Sequence, residues 1–107
     1  MEFLNSIELK GLVGNASHTK VGDTNMVRFS VCTEYAYKGK DGSAIVDVTW
    51  HNCTAWESTK NKIADIKRSA FVHLKGRVRN FRYTMADGTE RTGSEILVQE
   101  VEVLPTE

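Results

Sequence analysis

The sequence is poor in the residues that would mark a disulfide framework, a metal site or a disordered segment. It contains one proline and two cysteines, Cys32 and Cys53, which are too few and too far apart for a zinc site or a set of cross-links. We therefore interpret both thiols as reduced, small, buried side chains. No window approaches the run of about 18 apolar residues that spans a membrane, and the N-terminus lacks a signal-peptide pattern. The sequence thus predicts a cytoplasmic protein with no membrane partner.

The chain also lacks an excess of charge of either sign, with 14 basic and 14 acidic residues among 107. Bulk attraction to a polyanion is therefore not expected, and a nucleic-acid site would depend on how the charges are arranged. No catalytic set is evident either. His18, His51 and His73 are scattered, Asp47 and Asp65 have no partner carboxylate, and no glycine motif that cradles phosphates is present. We expect no enzyme activity, no cofactor and no metal site.

Alternating polar and apolar residues are abundant, and they predict an all-β fold. The predicted strands are residues 7–15, 26–37, 44–56, 70–83 and 95–104, with turns at 20–25 and at Asp87-Gly88. The segment 57–69 is the one helical candidate, because Ile63, Ala64 and Ile66 are spaced to pack on one side of a helix. Five strands with one short helix between strands 3 and 4 predict an OB-fold barrel, formed by residues 1–107 as a single domain.

The third strand predicts two tryptophans on the outer face of the barrel, because side chains alternate across a strand. One face carries Trp50, Asn52, Thr54 and Trp56, and the other carries His51, Cys53 and Ala55. The second set is small and suits a barrel interior, whereas large exposed rings usually mark a contact surface. A phase shift of one residue, or a bulge, would instead put both tryptophans in the core.

On the fourth strand, cations and aromatic rings share one face. Val72, Leu74, Gly76 and Val78 form the predicted core side, and Lys75, Arg77, Arg79, Phe81 and Tyr83 form the opposite side. Cations attract phosphates, and each ring that stacks on a base contributes about 1–3 kcal/mol whatever the base. The two strands together predict sequence-independent binding of single-stranded DNA. Simpler interpretations stay open: the cations are a solvated strand face, Phe81 closes the barrel end, and Tyr35 or Tyr37 caps its mouth.

Four stretches of the chain resemble the bacterial single-stranded-DNA-binding proteins of the OB fold. They are the opening strand Asn5–Gly11, the segment Val27–Thr33, the segment Thr49–Cys53, which matches the family's "E-W-H" strand, and the segment Lys75–Arg79. The resemblance runs over nearly the whole chain. It implies an OB barrel with a role in replication, recombination or repair, and assembly into a homo-oligomer, with a tetramer favoured over a dimer.

The same resemblance assigns roles to individual residues. The family's stacking aromatics fall on Tyr37, Trp50, Trp56 and Tyr83. The basic residues at or near the family's DNA path are Arg28, Lys75, Arg77 and Arg79. His51 matches a histidine that the family uses for subunit association, which implies a place in an oligomer interface.

The sequence departs from the family at its end, where Val103–Glu107 takes the place of a flexible linker and an acidic tip. It thus resembles a short form without the acidic C-terminal tail, either a natural one from a phage or mobile element or a trimmed one, and recruitment of other proteins through a tail is not expected. The alternative interpretation is a primosomal-type OB-fold adaptor, which mainly contacts another replication protein.

Overall fold

Five β-strands close into a barrel in the computed structural model, which describes residues 1–59 and 61–105. The strands are β1 (Ile7–Val21), β2 (Thr24–Lys38), β3 (Ala44–Trp56), β4 (Phe71–Thr84) and β5 (Glu90–Leu104). They follow one another around the barrel in the order β1-β2-β3-β5-β4. Every neighbouring pair is antiparallel except β3 and β5, which pair in parallel. The predicted all-β, five-stranded OB barrel is therefore confirmed.

Alternate side chains of each strand fill the barrel, as the period-two pattern predicts. The inner set includes Leu9, Val27, Phe29, Val31, Cys53, Ala55, Val72, Leu74 and Ile96, all at most 8% exposed. Removing each large apolar side chain of this set from water contributes roughly 1.5–3 kcal/mol to folding. Cys53 belongs to this core and Cys32 is half-buried, and both are free thiols.

The predicted helix over residues 57–69 is wrong. Its described part, residues 57–59 and 61–69, forms bends and turns, and residue 60 lies outside the described residues. Ile63 and Ile66 are buried in the core at 1% and 0% exposure, but Ala64, predicted to pack with them, is exposed. The two isoleucines pack inward from a single turn, in which the Ile66 amide donates to the Ile63 carbonyl at 3.0 Å.

Bonds to the neighbouring strands explain why this segment does not continue as a helix. The buried Asn61 side chain donates to the Gln99 carbonyl at 2.8 Å and accepts from the Val101 amide at 3.2 Å. Further along, the Ser69 amide donates to the Val13 carbonyl at 2.9 Å, and Ser69 itself has a φ of 74°. The Asn61 side chain thus ties the segment to β5 and the Ser69 amide ties it to β1, so that the chain follows these strands instead of coiling into a helix.

Strand ends differ from the predicted ones where cross-strand pairing extends them. β1 continues to Val21, so its turn into β2 shortens to two residues with Gly22 at φ 61°. β5 begins at Glu90, five residues before the predicted start. Val78 has the inward phase predicted for it but is 39% exposed, because β1 pairs with β4 only as far as Gly76.

Candidate nucleic-acid interface

A row of outward side chains crosses four neighbouring strands of the barrel. Arg28 on β2 is opposite Thr54 on β3, and Thr54 is opposite Leu97 on β5. Leu97 is in turn opposite Arg77 on β4. The register therefore brings two exposed arginines, distant in sequence, onto one face of the barrel.

The two tryptophans lie on either side of this row. Trp56 is opposite Met26 and 41% exposed, and Trp50 is opposite Cys32 and 58% exposed. Both rings therefore point outward, as the sequence predicts. Thr54, predicted on the same outer face, does point outward but is only 5% exposed, because a neighbouring side chain from β5 covers it.

Phe81 extends the aromatic part of this surface along β4. Its ring is 38% exposed and lies 5.9 Å, centroid to centroid, from the ring of Tyr83, which is 47% exposed. A groove of about 610 Å³ runs beside Phe81, Arg79 and Arg28, and a second groove of about 380 Å³ is lined by the same two arginines with Arg77 and Trp56. We name this surface the aromatic–arginine face; its residues are Arg28, Trp50, Trp56, Arg77, Arg79 and Phe81.

Two of the exposed rings lie directly against the backbone of a glycine. A Cβ atom on Gly14 would be 2.5 Å from Cζ3 of Trp50, and a Cβ on Gly93 would be 2.8 Å from Cζ of Phe81. Both distances are shorter than van der Waals contact allows. Each glycine thus provides the space, free of a Cβ atom, in which an exposed ring packs against the sheet.

Glu95 lies in the middle of the aromatic–arginine face. Its Oε1 is 2.6 Å from Nη2 of Arg79, and its Oε2 accepts a hydrogen bond from the Thr54 hydroxyl at 2.9 Å. The carboxylate side chain is only 15% exposed, against 49% for the Arg79 side chain. The interface therefore contains a fixed negative charge that the sequence analysis did not single out, although the pairing of strands 4 and 5 as a hairpin could have suggested it.

Lys75 has the predicted outward orientation but different neighbours. It is opposite Glu8 on one side and Glu100 on the other. The pKa of Glu8 is lowered, first by its hydrogen bond with His73 and then by the charge of Lys75. The structure thus places Lys75 between acidic residues, on the same outward side of β4 as Arg77 and at the edge of the aromatic–arginine face.

Tyr37 and His51 lie apart from this face. The register of β2 with β3 is unbroken, so alternation puts Tyr37 on the opposite face of the ribbon from Trp50. Tyr37 is 42% exposed, and its ring is 6.2 Å from that of Tyr35. His51 is half-buried on the inner side, with Nε2 2.9 Å from the Thr33 hydroxyl.

Arg68 is a further cation beside the interface that the sequence analysis missed. It lines an open pocket of about 630 Å³ together with Trp50, Gly14 and Ser30. Arg68 comes from the segment predicted as a helix, where its direction could not be inferred. The strained residue that follows it, Ser69, fixes the path of the chain at this point.

Over residues 1–59 and 61–105, no three His, Cys, Asp or Glu side chains come together in a way that could hold a metal ion. In the same residues the structure contains no helix that is long and apolar enough to cross a membrane.

The fold and the site define an OB-fold domain with one aromatic and basic outer face. The sequence profile described as "Single-strand binding protein family" matches residues 4–104 of the chain. The chain therefore belongs to the single-strand binding protein family.

Relatives and solved structures agree with this assignment. A single-stranded DNA-binding protein of Neisseria meningitidis is 29% identical over 108 residues, covering 94% of this chain and 60% of that protein. A single-stranded DNA-binding protein of Xanthomonas axonopodis pv. citri is 26% identical over 104 residues, covering 94% of this chain and 58% of that protein. The chain thus spans about 60% of the length of the curated relatives it matches.

Among solved structures, the Plasmodium falciparum SSB in complex with ssDNA is similar with a TM-score of 0.81 at 16% identity, covering 97% of this chain and 96% of that one. A small single-stranded DNA-binding protein of Streptomyces coelicolor is similar with a TM-score of 0.70 at 14% identity, covering 94% of this chain and 95% of that one. At these identities the likeness establishes the fold.

Proposed function

We propose that this protein binds single-stranded DNA without sequence preference and protects it during replication, recombination or repair. The observation that carries the proposal is the aromatic–arginine face, in which exposed rings flank three guanidinium groups, one on β2 and two on β4, that lie on the same side of the barrel. Stacked bases need flat rings, and the backbone between them needs cations. Membership of the single-strand binding protein family supports the same function.

The arrangement suggests a path for the strand. One base stacks on Trp56, the backbone crosses Arg28, Arg77 and Arg79, and further bases stack on Phe81 or Trp50. Tyr83 continues the path beyond Phe81, and Arg68 is near enough to Trp50 to take a phosphate on that side. Because every base has a π-face, such a path discriminates little between sequences.

Two predicted contacts have weaker support. Tyr37 would reach the strand only if DNA also follows the other side of the β2–β3 ribbon, and the charge of Lys75 is offset by Glu8 and Glu100. We propose that these two residues contribute less than those of the aromatic–arginine face. As part of the same proposal, residues 1–107 form a single DNA-binding domain and have no catalytic role.

We further propose that the protein works as a homo-oligomer, most simply a tetramer, in the cytoplasm. An apolar row crosses the outside of β1, β4 and β5, where Leu12 is opposite Phe71 and Phe71 is opposite Leu104. Next to this row, Lys10 and Glu8 present charges of both signs, which suits self-association through a symmetric interface. His51 is proposed as an additional interface residue.

The solution mass, measured with and without long oligo-dT, tests both assembly and binding, and a monomeric mass in both samples would rule out the oligomer.

Titration with oligo-dT, followed by tryptophan emission, tests the proposed function. Stacking on Trp50 or Trp56 should quench the emission, and added salt should weaken binding as phosphate contacts are lost. No quenching and no spectral shift at low salt would reject it. If a Trp56→Ala/Tyr83→Ala variant binds oligo-dT as tightly as the wild type, the primosomal-type adaptor becomes the better interpretation.

A further inference from the structure

The aromatic–arginine face contains a carboxylate where a polyanion is expected to bind. We propose that Glu95 competes with DNA phosphate for Arg79 and thereby sets both the affinity and the salt dependence of binding. This inference rests on the proposed function and goes beyond it, because it assigns a negative, tuning role to a residue inside the interface.

Glu95 is held in place at both oxygens. Oε1 pairs with Arg79 Nη2 at 2.6 Å, and Oε2 accepts from the Thr54 hydroxyl at 2.9 Å. Thr54 is 5% exposed and so provides an anchor that solvent does not disturb. The carboxylate, with a side chain 15% exposed, therefore cannot turn toward water without losing the Thr54 hydrogen bond.

The three arginines of the face are consequently not equivalent. Among the residues that the structure describes, the ion pairs are Arg79–Glu95 and His73–Glu8, so neither Arg28 nor Arg77 belongs to one. A phosphate that approaches Arg79 meets a guanidinium whose charge is already paired. It must either displace Glu95 or bind beside it, and both options are less favourable than binding to an unpaired arginine.

Charge removal at constant shape tests the proposal. Oligo-dT affinity is measured over a series of salt concentrations for the wild type, Glu95→Gln and the control Glu102→Gln, which removes the same charge from an exposed position on β5. We expect Glu95→Gln to bind about five- to tenfold more tightly at low salt. Its log–log salt dependence should steepen by about 0.7, the value for one further phosphate contact on a single strand. Glu102→Gln should match the wild type in both quantities.

A double-mutant cycle separates competition for Arg79 from simple repulsion of DNA. In an Arg79→Met background, Glu95→Gln should give little or no gain in affinity. A gain of the same size in both backgrounds would overturn the proposal, and so would a Glu95→Gln protein that binds no more tightly than the wild type. Should Glu95→Gln fold poorly, Thr54→Val serves instead. This variant removes the hydrogen bond to Oε2 of Glu95 and should give a smaller gain in oligo-dT affinity. If Thr54→Val gives no gain in affinity, the proposal is equally overturned.

The oligo-dT titration of the wild type in the same experiment distinguishes failure of the proposed role of Glu95 from failure of the proposed function. If the wild type binds oligo-dT but the variants do not behave as described, the role of Glu95 is wrong and the proposed function stands. If the wild type does not bind at all, both fail together.

Discussion

Truncating Trp50 to alanine should weaken DNA binding without unfolding the protein. Trp50 is 58% exposed, so about two-fifths of its surface is covered in the folded state. An aromatic residue buries up to about 250 Å², so the truncation uncovers roughly 100 Å². At about 25 cal/mol per Å² this corresponds to roughly 2.5 kcal/mol of stability, which a domain stable by about 5–15 kcal/mol can lose and remain folded.

The expected loss of affinity follows from base stacking. A ring that stacks one base contributes about 1–3 kcal/mol, which corresponds to roughly a five- to 150-fold weaker binding of oligo-dT after truncation. The chain has two tryptophans, so in Trp50→Ala the emission of Trp56 reports the titration alone. Trp50→Phe keeps an aromatic ring and should retain most of the affinity. Val21→Ala, at a similarly exposed apolar position at the β1–β2 turn, serves as the control.

Two results would refute this reasoning. A folded Trp50→Ala protein with wild-type affinity would mean that no base stacks on this ring. A Trp50→Ala protein that fails to fold, as judged by circular dichroism and thermal unfolding, would mean that the ring belongs to the core in spite of its exposure.

Three further predictions concern Gly14, Asn61 and Cys53. Gly14→Ala should weaken oligo-dT binding several-fold, because its Cβ would lie 2.5 Å from Cζ3 of Trp50 and force the ring off the sheet; unchanged affinity would contradict this. Asn61→Ala should lower the free energy of unfolding by about 1–3 kcal/mol in urea, because it leaves the Val101 amide without its acceptor, while oligo-dT affinity stays the same. Burial raises the pKa of the Cys53 thiol to about 12, so a thiol reagent at neutral pH should label Cys53 only after unfolding, and rapid labelling of the native protein would count against the structure.

The sequence predicted the barrel well because its strands carry strict alternation. Val27, Phe29 and Val31 on β2, and Cys53 and Ala55 on β3, have the burial that period two requires. The same pattern correctly put Trp50 and Trp56 outside. Local chemistry was enough here, since the face of a strand is decided by residues next to one another in sequence.

The failed helix prediction, and the features that the sequence did not reveal, depend on contacts between distant residues. Residues 57–69 have the spacing of a helix, but the Asn61 amide and the Ser69 backbone are bonded to other strands. The acidic neighbours of Lys75, and the position of Glu95 between Thr54 and Arg79, follow from strand register. The register of β1 with β4 and of β3 with β5 is set by closure of the barrel and by no local turn, whereas the pairing of Arg79 with Glu95 follows from the β4–β5 hairpin.

The contact of Trp50 with Gly14, and of Phe81 with Gly93, has a consequence for the entropy of association. A side chain that must be immobilised when its ligand arrives loses rotamer freedom, at a cost of about 0.5–1.5 kcal/mol for each such group. Rings that already rest on the backbone of the free barrel have given up that freedom during folding. A base arriving at either ring therefore meets a rigid, preorganised surface, and less of the stacking energy is spent on ordering the protein.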